Sequence, residues 1–272
     1  MTEPQQAQPP NPAEMYERVL VSQLFRPLSR EVLNVAPPRT GDRILDLACG
    51  TGIVLREAAA LNGSIERLVG IDLNPHMVAV ARTIDDETGL SIDYHEAPAD
   101  VLPFADSEFT RVYCQQGLQF FPDRVAAIAE THRVLEAGGQ AVMIVWRSLE
   151  EHPYLNQLNE IAYKHTGFHM LADPFSFGDE QTLRSLFEND NYRDVQIEQV
   201  NVETVSDDPK TELGMMLMGA TAAIPSMQDL NQEQRAELVE TVVSNAEPII
   251  NQFSVNGVVT TEWHANVAIA TK

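Results

Sequence analysis

The chain has 272 residues, 44% of them hydrophobic and 21% charged, which are the proportions of a globular protein with a sizeable core. With 40 acidic side chains against 18 basic ones, the net charge is −22; such a surface repels phosphate backbones, excluding nucleic acid as the expected partner in favour of cationic or neutral small molecules. No run approaches the roughly 18 apolar residues of a membrane helix, and two cysteines, Cys49 and Cys114, are too few for a disulfide framework, so a cytoplasmic protein without membrane insertion is expected.

Residues 1–12 are Pro- and Gln-rich, with neither a basic start nor an apolar run, and read as a disordered tail. Two short helices are expected over 13–25 and 28–35, split at Pro27, before Pro37, Pro38 and Gly41 end the helical pattern. Strands and helices then alternate, with strands over 43–47, 67–72, 91–96, 110–114 and 140–146 and helices over 52–61, 75–86 and 124–135. Asp123 is placed to cap the last of these helices, and Gly138-Gly139 to end it. The strands are short, apolar and only partly alternating, as when helices cover both faces of a parallel, doubly wound α/β sheet.

Beyond Trp146 the pattern changes to helices over 155–166 and 180–188, a strand over 195–205, helices over 211–218 and 232–252, and a strand over 258–270. That last strand has to return to the sheet. The expectation is therefore one domain over 13–272 with a mostly parallel seven-stranded sheet, a helical N-terminal segment, a ligand-binding core over 36–150 and helical cap insertions over 151–190 and 206–256.

The strongest chemical signal is the run Ile44-Leu45-Asp46-Leu47-Ala48-Cys49-Gly50-Thr51-Gly52, a buried strand entering a glycine turn that opens a helix. Glycine lets backbone approach a ligand closely, and the helix start beyond offers unpaired N–H groups. Asp72 ends the next strand, where a carboxylate can accept hydrogen bonds from ribose hydroxyls. Dinucleotides and S-adenosylmethionine (SAM) both carry that ribose. The third glycine of the dinucleotide fingerprint is replaced by Leu55, and Asp46 would repel a pyrophosphate but attract a sulfonium or ammonium group. Both details favour SAM over a nicotinamide cofactor.

With these residues the sequence resembles the class I SAM-dependent methyltransferases, and within them the small-molecule, methyltransferase type 11 or ubiquinone/menaquinone methyltransferase-like group. The resemblance implies a Rossmann-like fold and a cofactor site in which the glycine turn, with Asp46, Ala48, Gly50 and Gly52, cradles the methionine part of SAM. It further implies Asp72 at the ribose, Leu73 among the cofactor-binding residues, Met77 against the adenine, and Ala99, Asp100 and Val101 around the adenine amine. The fourth strand exit, through Gln115 and Gln116, would pass beside the methionine moiety, with one of the two amides facing the site. Ala48 stands where many relatives have glycine, and Thr110 where many have Asp.

Methyl transfer is an in-line displacement that needs alignment above all, with a general base only when the acceptor must lose a proton. His152, a few residues past the fifth strand, is the candidate base, with Tyr154 beside it; Tyr16 is a candidate to close over the cofactor. The stretch Gly214-Met215-Met216-Leu217-Met218-Gly219 either lines a pliable pocket for an apolar or aromatic acceptor or packs a cap helix. No metal is expected, because no His, Asp, Glu or Cys cluster has ligand spacing. A homodimer is compatible with these features. The rival expectations are an NAD(P)-dependent oxidoreductase and a non-catalytic SAM-binding regulator.

Overall fold

The computed structural model describes residues 11–61, 64–223, 227 and 229–272. Most of the expected tail lies outside them; Asn11 and Pro12 belong to the first helix, where the Asn11 side chain accepts from the Ala13 N–H at 3.0 Å. That helix does not split at Pro27. Helix α1 (Pro12–Tyr16), a wide π-type segment (Glu17–Phe25) and α2 (Arg26–Val35) follow one another through helical backbone angles. The Arg26 N–H still reaches back five residues to Val21, and Pro27 then falls in the first turn of α2, where its fixed φ suits a helical backbone.

The sheet has the order β3-β2-β1-β4-β5-β8-β6. Strands β1 (Arg43–Leu47), β2 (Arg67–Asp72), β3 (Asp93–Glu96), β4 (Phe109–Gln115) and β5 (Leu135–Trp146) pair in parallel. The long strand β8 (Val258–Thr271) inserts antiparallel between β5 and β6 (Arg193–Ser206). An additional two-residue strand, β7 (Ser254–Val255), joins β8 through a turn at Asn256-Gly257, both with positive φ as a tight hairpin requires. Seven strands thus form the sheet proper, as expected from the sequence, with β7 as an appendage.

Alternation along the strands divides the core. Ile44, Val142, Ile144 and Trp146 face helices α2, α3 (Ile53–Leu61) and α4 (Pro75–Thr88), while Leu45, Leu47, Met143 and Val145 face α5 (Arg124–Val134) and α7 (Glu180–Asn189). A parallel strand buried on both sides is apolar at every position, which is why these segments carry no polar stripe. The α5 helix stops at Val134; Leu135 is already extended, so Gly138-Gly139 lies inside β5 rather than ending the helix.

Helix α7 corrects the expected cap. Its buried Leu183 and Phe187 pack with Ile128, Tyr192 and Ala268, on the face opposite the N-terminal helices. The cap consists instead of α6 (Pro153–Thr166), α8 (Pro209–Ala223), α9 (Gln232–Asn245) and α10 (Glu247–Phe253), packed on the α2 side. The helix expected over 232–252 breaks at Ala246, because Pro248 opens a new first turn.

Candidate cofactor and acceptor site

The parallel strands end on one edge of the sheet, and a cavity of about 620 Å³ lies there. This is the edge where ligands bind in open α/β sheets. Its floor begins at the glycine turn between β1 and α3. Gly50 takes φ +54°, and a Cβ there would meet only the Tyr16 ring, at 3.8 Å; the bare backbone therefore faces open space. Gly52, at φ +85°, does not line the cavity: a Cβ on it would collide with the Tyr94 hydroxyl, so this glycine serves turn packing. Ala48 lines the cavity at φ +57°, a left-handed conformation that disfavours any side chain.

Asp72, at the carboxyl end of β2, lines the cavity and is bonded on both oxygens. Its Oδ2 accepts from the Gly50 N–H and its Oδ1 from the Asn74 N–H, each at 2.8 Å. Each oxygen keeps a second lone pair for a ligand hydroxyl. Burial raises the carboxyl above its ordinary range, and these backbone N–H groups partly counter it. Leu73, Asn74, Met77, Ala99 and Asp100 continue the wall. Val101 does not: it is 67% exposed and turned away from the cavity.

Asp46 does not line the cavity either. It is buried beneath the turn, with neither oxygen bonded among the described residues; burial first, then the nearby Asp72, holds its carboxyl well above the usual range. His152 is likewise withdrawn. Its Nε2 accepts from the His264 backbone N–H at 3.0 Å, which obliges Nδ1 to donate to the Ser148 carbonyl at 2.9 Å. With both nitrogens committed to backbone, and the ring outside the cavity wall, it is no candidate base. Tyr154 is also outside that wall.

The N-terminal helices form a ceiling that includes Tyr16, Leu20, Leu24 and Phe25. They are held to the turn by Glu17, which pairs with Arg56 Nη2 at 2.7 Å and accepts from Thr51 Oγ1 at 2.5 Å. Arg56 in turn donates to the Thr51 carbonyl. Gln115 ties the same ceiling to β4: its Oε1 accepts from Ser29 Oγ at 3.1 Å and its Nε2 donates to the Phe25 carbonyl at 3.2 Å. Burial raises the Tyr16 phenol, with Asp72 next in effect.

The far end of the cavity is aromatic. Trp146 and Trp263 lie 5.1 Å apart by ring centroid, with Phe175 at 6.4 Å and Phe25 at 6.5 Å from Trp146. Met215, Met216 and Gly219 of α8 also line it, so the Met-rich stretch faces the cavity through these residues while Leu217 packs in the core. The charged lining residues are Asp72, Asp100, Asp123 and Asp173, with no Lys, Arg or His among the described wall, an environment that favours a cationic ligand. The glycine backbone, the anchored carboxylate and this charge together fit SAM.

Trp263, Phe175, Glu17 and Arg56 were not identifiable in the sequence as site residues. They converge from β8, the cap and the first helices, and only the fold brings them together.

Comparisons with known proteins point to the methyltransferases. Residues 45–143 match the family model described as methyltransferase domain. The chain is 33% identical over 128 residues to a protein of Mycobacterium bovis, covering 47% of this chain and 46% of that one, so this match spans about half the length of the relative. It is 30% identical over 189 residues to the ubiquinone/menaquinone biosynthesis C-methyltransferase UbiE of Teredinibacter turnerae, covering 62% of this chain and 73% of that protein. Its fold is similar to that of Haemonchus contortus phosphoethanolamine N-methyltransferase 2, with a TM-score of 0.59 at 18% identity, over 96% of this chain and 56% of that one.

Proposed function

Because the chain belongs to the class I SAM-dependent methyltransferases, we propose that its cavity holds SAM and presents the methyl group to a small apolar or aromatic acceptor. The observation that carries this reading is the continuity of one cavity from Asp72 and the glycine turn to the Trp146–Trp263 wall. When bound, SAM supplies an electrophilic methyl on a sulfonium. Gly50 and Ala48 would border its amino-acid end, Asp72 its ribose, and Met77, Ala99 and Asp100 its adenine. Tyr16 and Phe25 would exclude water from above.

The acceptor would lie against Trp146, Trp263 and Phe175, held flat by aromatic contact. With His152 withdrawn, the residues lining the cavity offer only carboxylates as proton acceptors, and Asp123 is already capping α5 through the Ala126 N–H at 2.9 Å. An acceptor that arrives already nucleophilic suits such a site, and alignment then carries the rate. The unpaired, buried Cys49 and Cys114 support a reducing, cytoplasmic setting. Among the described residues no helix is long and apolar enough to cross a membrane.

Calorimetry with S-adenosylhomocysteine and with NAD tests the cofactor, and transfer of labelled methyl from SAM to a panel of phenols, amines and enolisable ketones tests turnover. Binding of NAD in place of S-adenosylhomocysteine would overturn the proposal. Binding without any transfer would leave a SAM-binding protein that is not an enzyme.

A further inference from the structure

The chain has two tryptophans, and both, Trp146 and Trp263, stand with Phe175 in the aromatic wall of the cavity. The three rings come from separate elements: the end of β5, the middle of β8 and the short turn Asp173–Phe175. Something has to hold them in register. One side chain, 1% exposed and outside the cavity wall, packs against all three. The His152 ring lies 4.8 Å from Phe175, 6.1 Å from Trp263 and 6.5 Å from Trp146 by centroid.

The two nitrogens fix that ring in place. Beyond Trp146 and Ala265, the last pair of the β5–β8 ladder, the Arg147 N–H donates to the His264 carbonyl at 3.0 Å. The His264 N–H leaves its strand on the same side, but it donates to His152 Nε2 at 3.0 Å, so the imidazole stands where a strand carbonyl would. A backbone N–H only donates; Nε2 therefore carries no proton, and Nδ1 carries the one given to the Ser148 carbonyl. Ser148 follows Trp146 by two residues, and His264 follows Trp263 by one. The neutral ring thus ties together the two segments that bear the tryptophans while packing on Phe175. Trp263 is held at its far edge by Thr204 Oγ1, which accepts from Nε1 at 3.0 Å.

Resting on the methyltransferase reading above, we infer that His152 is the positioning residue of the acceptor wall: its neutral ring sets the arrangement of Trp146, Trp263 and Phe175, and its protonation releases them. A proton on Nε2 would set a donor against the His264 N–H and end that bond. The charged and titratable groups around the ring are His264 on β8, Glu151 on the turn Leu149–Glu151 with Arg147 paired to it at 2.5 Å, and Asp173 on the Phe175 turn. Burial lowers the imidazole below its ordinary 6.5; the Ser148 bond opposes this, His264 adds to it and Glu151 opposes it. The wall is therefore intact at pH 6.5 and above, and loosens as pH falls through the lowered value. The side-chain bonds and ring contacts of His152 all lead to the acceptor end, away from Asp72 and the glycine turn.

The test uses the full chain saturated with S-adenosylhomocysteine, and chromone, a neutral aromatic without a titrating group, as the acceptor probe. Tryptophan emission reads the wall directly, because both tryptophans belong to it. His152→Leu leaves the His264 N–H unmatched, whereas His152→Gln offers it an amide oxygen that takes no proton. At about pH 8, His152→Leu is expected to shift the emission and to weaken chromone about tenfold in equilibrium dialysis, and His152→Gln to restore both. Between about pH 8 and pH 4.5 the unaltered protein should lose chromone affinity in a one-proton step below 6.5, with a matching emission change, and His152→Gln should lack that step. Equal pH profiles for the unaltered protein and His152→Gln would overturn the inference, as would chromone binding undiminished in His152→Leu or absent at about pH 8. A parallel loss of S-adenosylhomocysteine affinity in His152→Leu would do the same, because the ring would then support the fold in general. If the variants fail to fold, the unaltered protein decides alone: a one-proton step in both readings supports the inference, and steady readings overturn it. A protein that never binds S-adenosylhomocysteine refutes the methyltransferase reading itself, a result distinct from a loaded protein whose wall ignores pH.

Discussion

Asp72 fastens the glycine turn through Gly50 and, in the proposed cofactor site, would offer its remaining lone pairs to a ribose. Asp72→Ala should weaken S-adenosylhomocysteine binding by about 1–3 kcal/mol in calorimetry, the cost of unmatched polar groups. Gly50→Val should abolish it, because its side chain would occupy the space beside Tyr16. Unchanged affinity in both variants would move the cofactor elsewhere. Asp46 makes a different prediction. Its carboxyl is pushed up by burial from an ordinary value of 3.8, so the folded protein holds that proton at a pH where the unfolded chain has lost it. Stability should therefore fall as pH rises from 3.8 through the folded-state value, by about 1.4 kcal/mol per pH unit across that interval. Asp46→Asn should remove that fall and be the more stable apo-protein at about pH 7, as urea titrations across the pH range would show. A variant with the same pH profile would mean that Asp46 is neutralised by another route. Asp72 and the glycine turn were legible as neighbours because their signals are local, the strand, turn and carboxylate lying within one crossover, whereas the same pattern did not show that Asp46 sits beneath the turn and outside the cavity. His152 misled for the same reason, since proximity to β5 in the chain said nothing of the Ser148 and His264 backbone groups that take both its nitrogens.

Among the elements, the π-type segment Glu17–Phe25 is the least legible in the sequence and among the most consequential. Its apolar spacing is near that of an ordinary helix, and only packing reveals the wider turn that aims Leu20, Leu24 and Phe25 at the cavity. The latch at Glu17 holds it down. Removing one partner of a buried ion pair leaves the other uncompensated, so Glu17→Gln should cost up to about 3 kcal/mol. Hydrogen exchange should rise first over 12–25, ahead of the sheet; uniform acceleration would show that the latch stabilises the whole fold instead. Strands β1, β2 and β4, by contrast, were placed to within one residue because a doubly covered sheet favours short apolar runs, whereas β5 begins five residues before its expected start. Helix α7 was misassigned because a helix of the opposite layer and a helix of the cap carry the same amphipathic pattern, and the pattern does not say which neighbour receives it.

At the scale of the whole molecule, a net charge of −22 makes the folded surface repel itself, while an expanded chain spreads the same charge. Raising salt from low to roughly molar concentration shortens the screening length to about 3 Å and should relieve this. A gain of about 1 kcal/mol would raise Tm by roughly 2–4 °C for a chain of this size class. A fall in Tm in scanning calorimetry would mean that ion pairs such as Arg67–Glu108 and Arg133–Glu130 outweigh the general repulsion.

The position of β8 has a consequence for how the molecule is made. It lies C-terminal to all the other strands, yet it occupies the slot between β5 and β6 and brings Trp263 to the cavity. During synthesis the parallel half, with its glycine turn, can assemble early, but β5 waits with one edge bare until residues 258–271 emerge. A nascent or truncated chain would thus own a nucleoside cradle whose aromatic wall still lacks Trp263. It would be most exposed to mispairing along β5 at the very stage when it could grip a cofactor and hand its methyl to nothing but water.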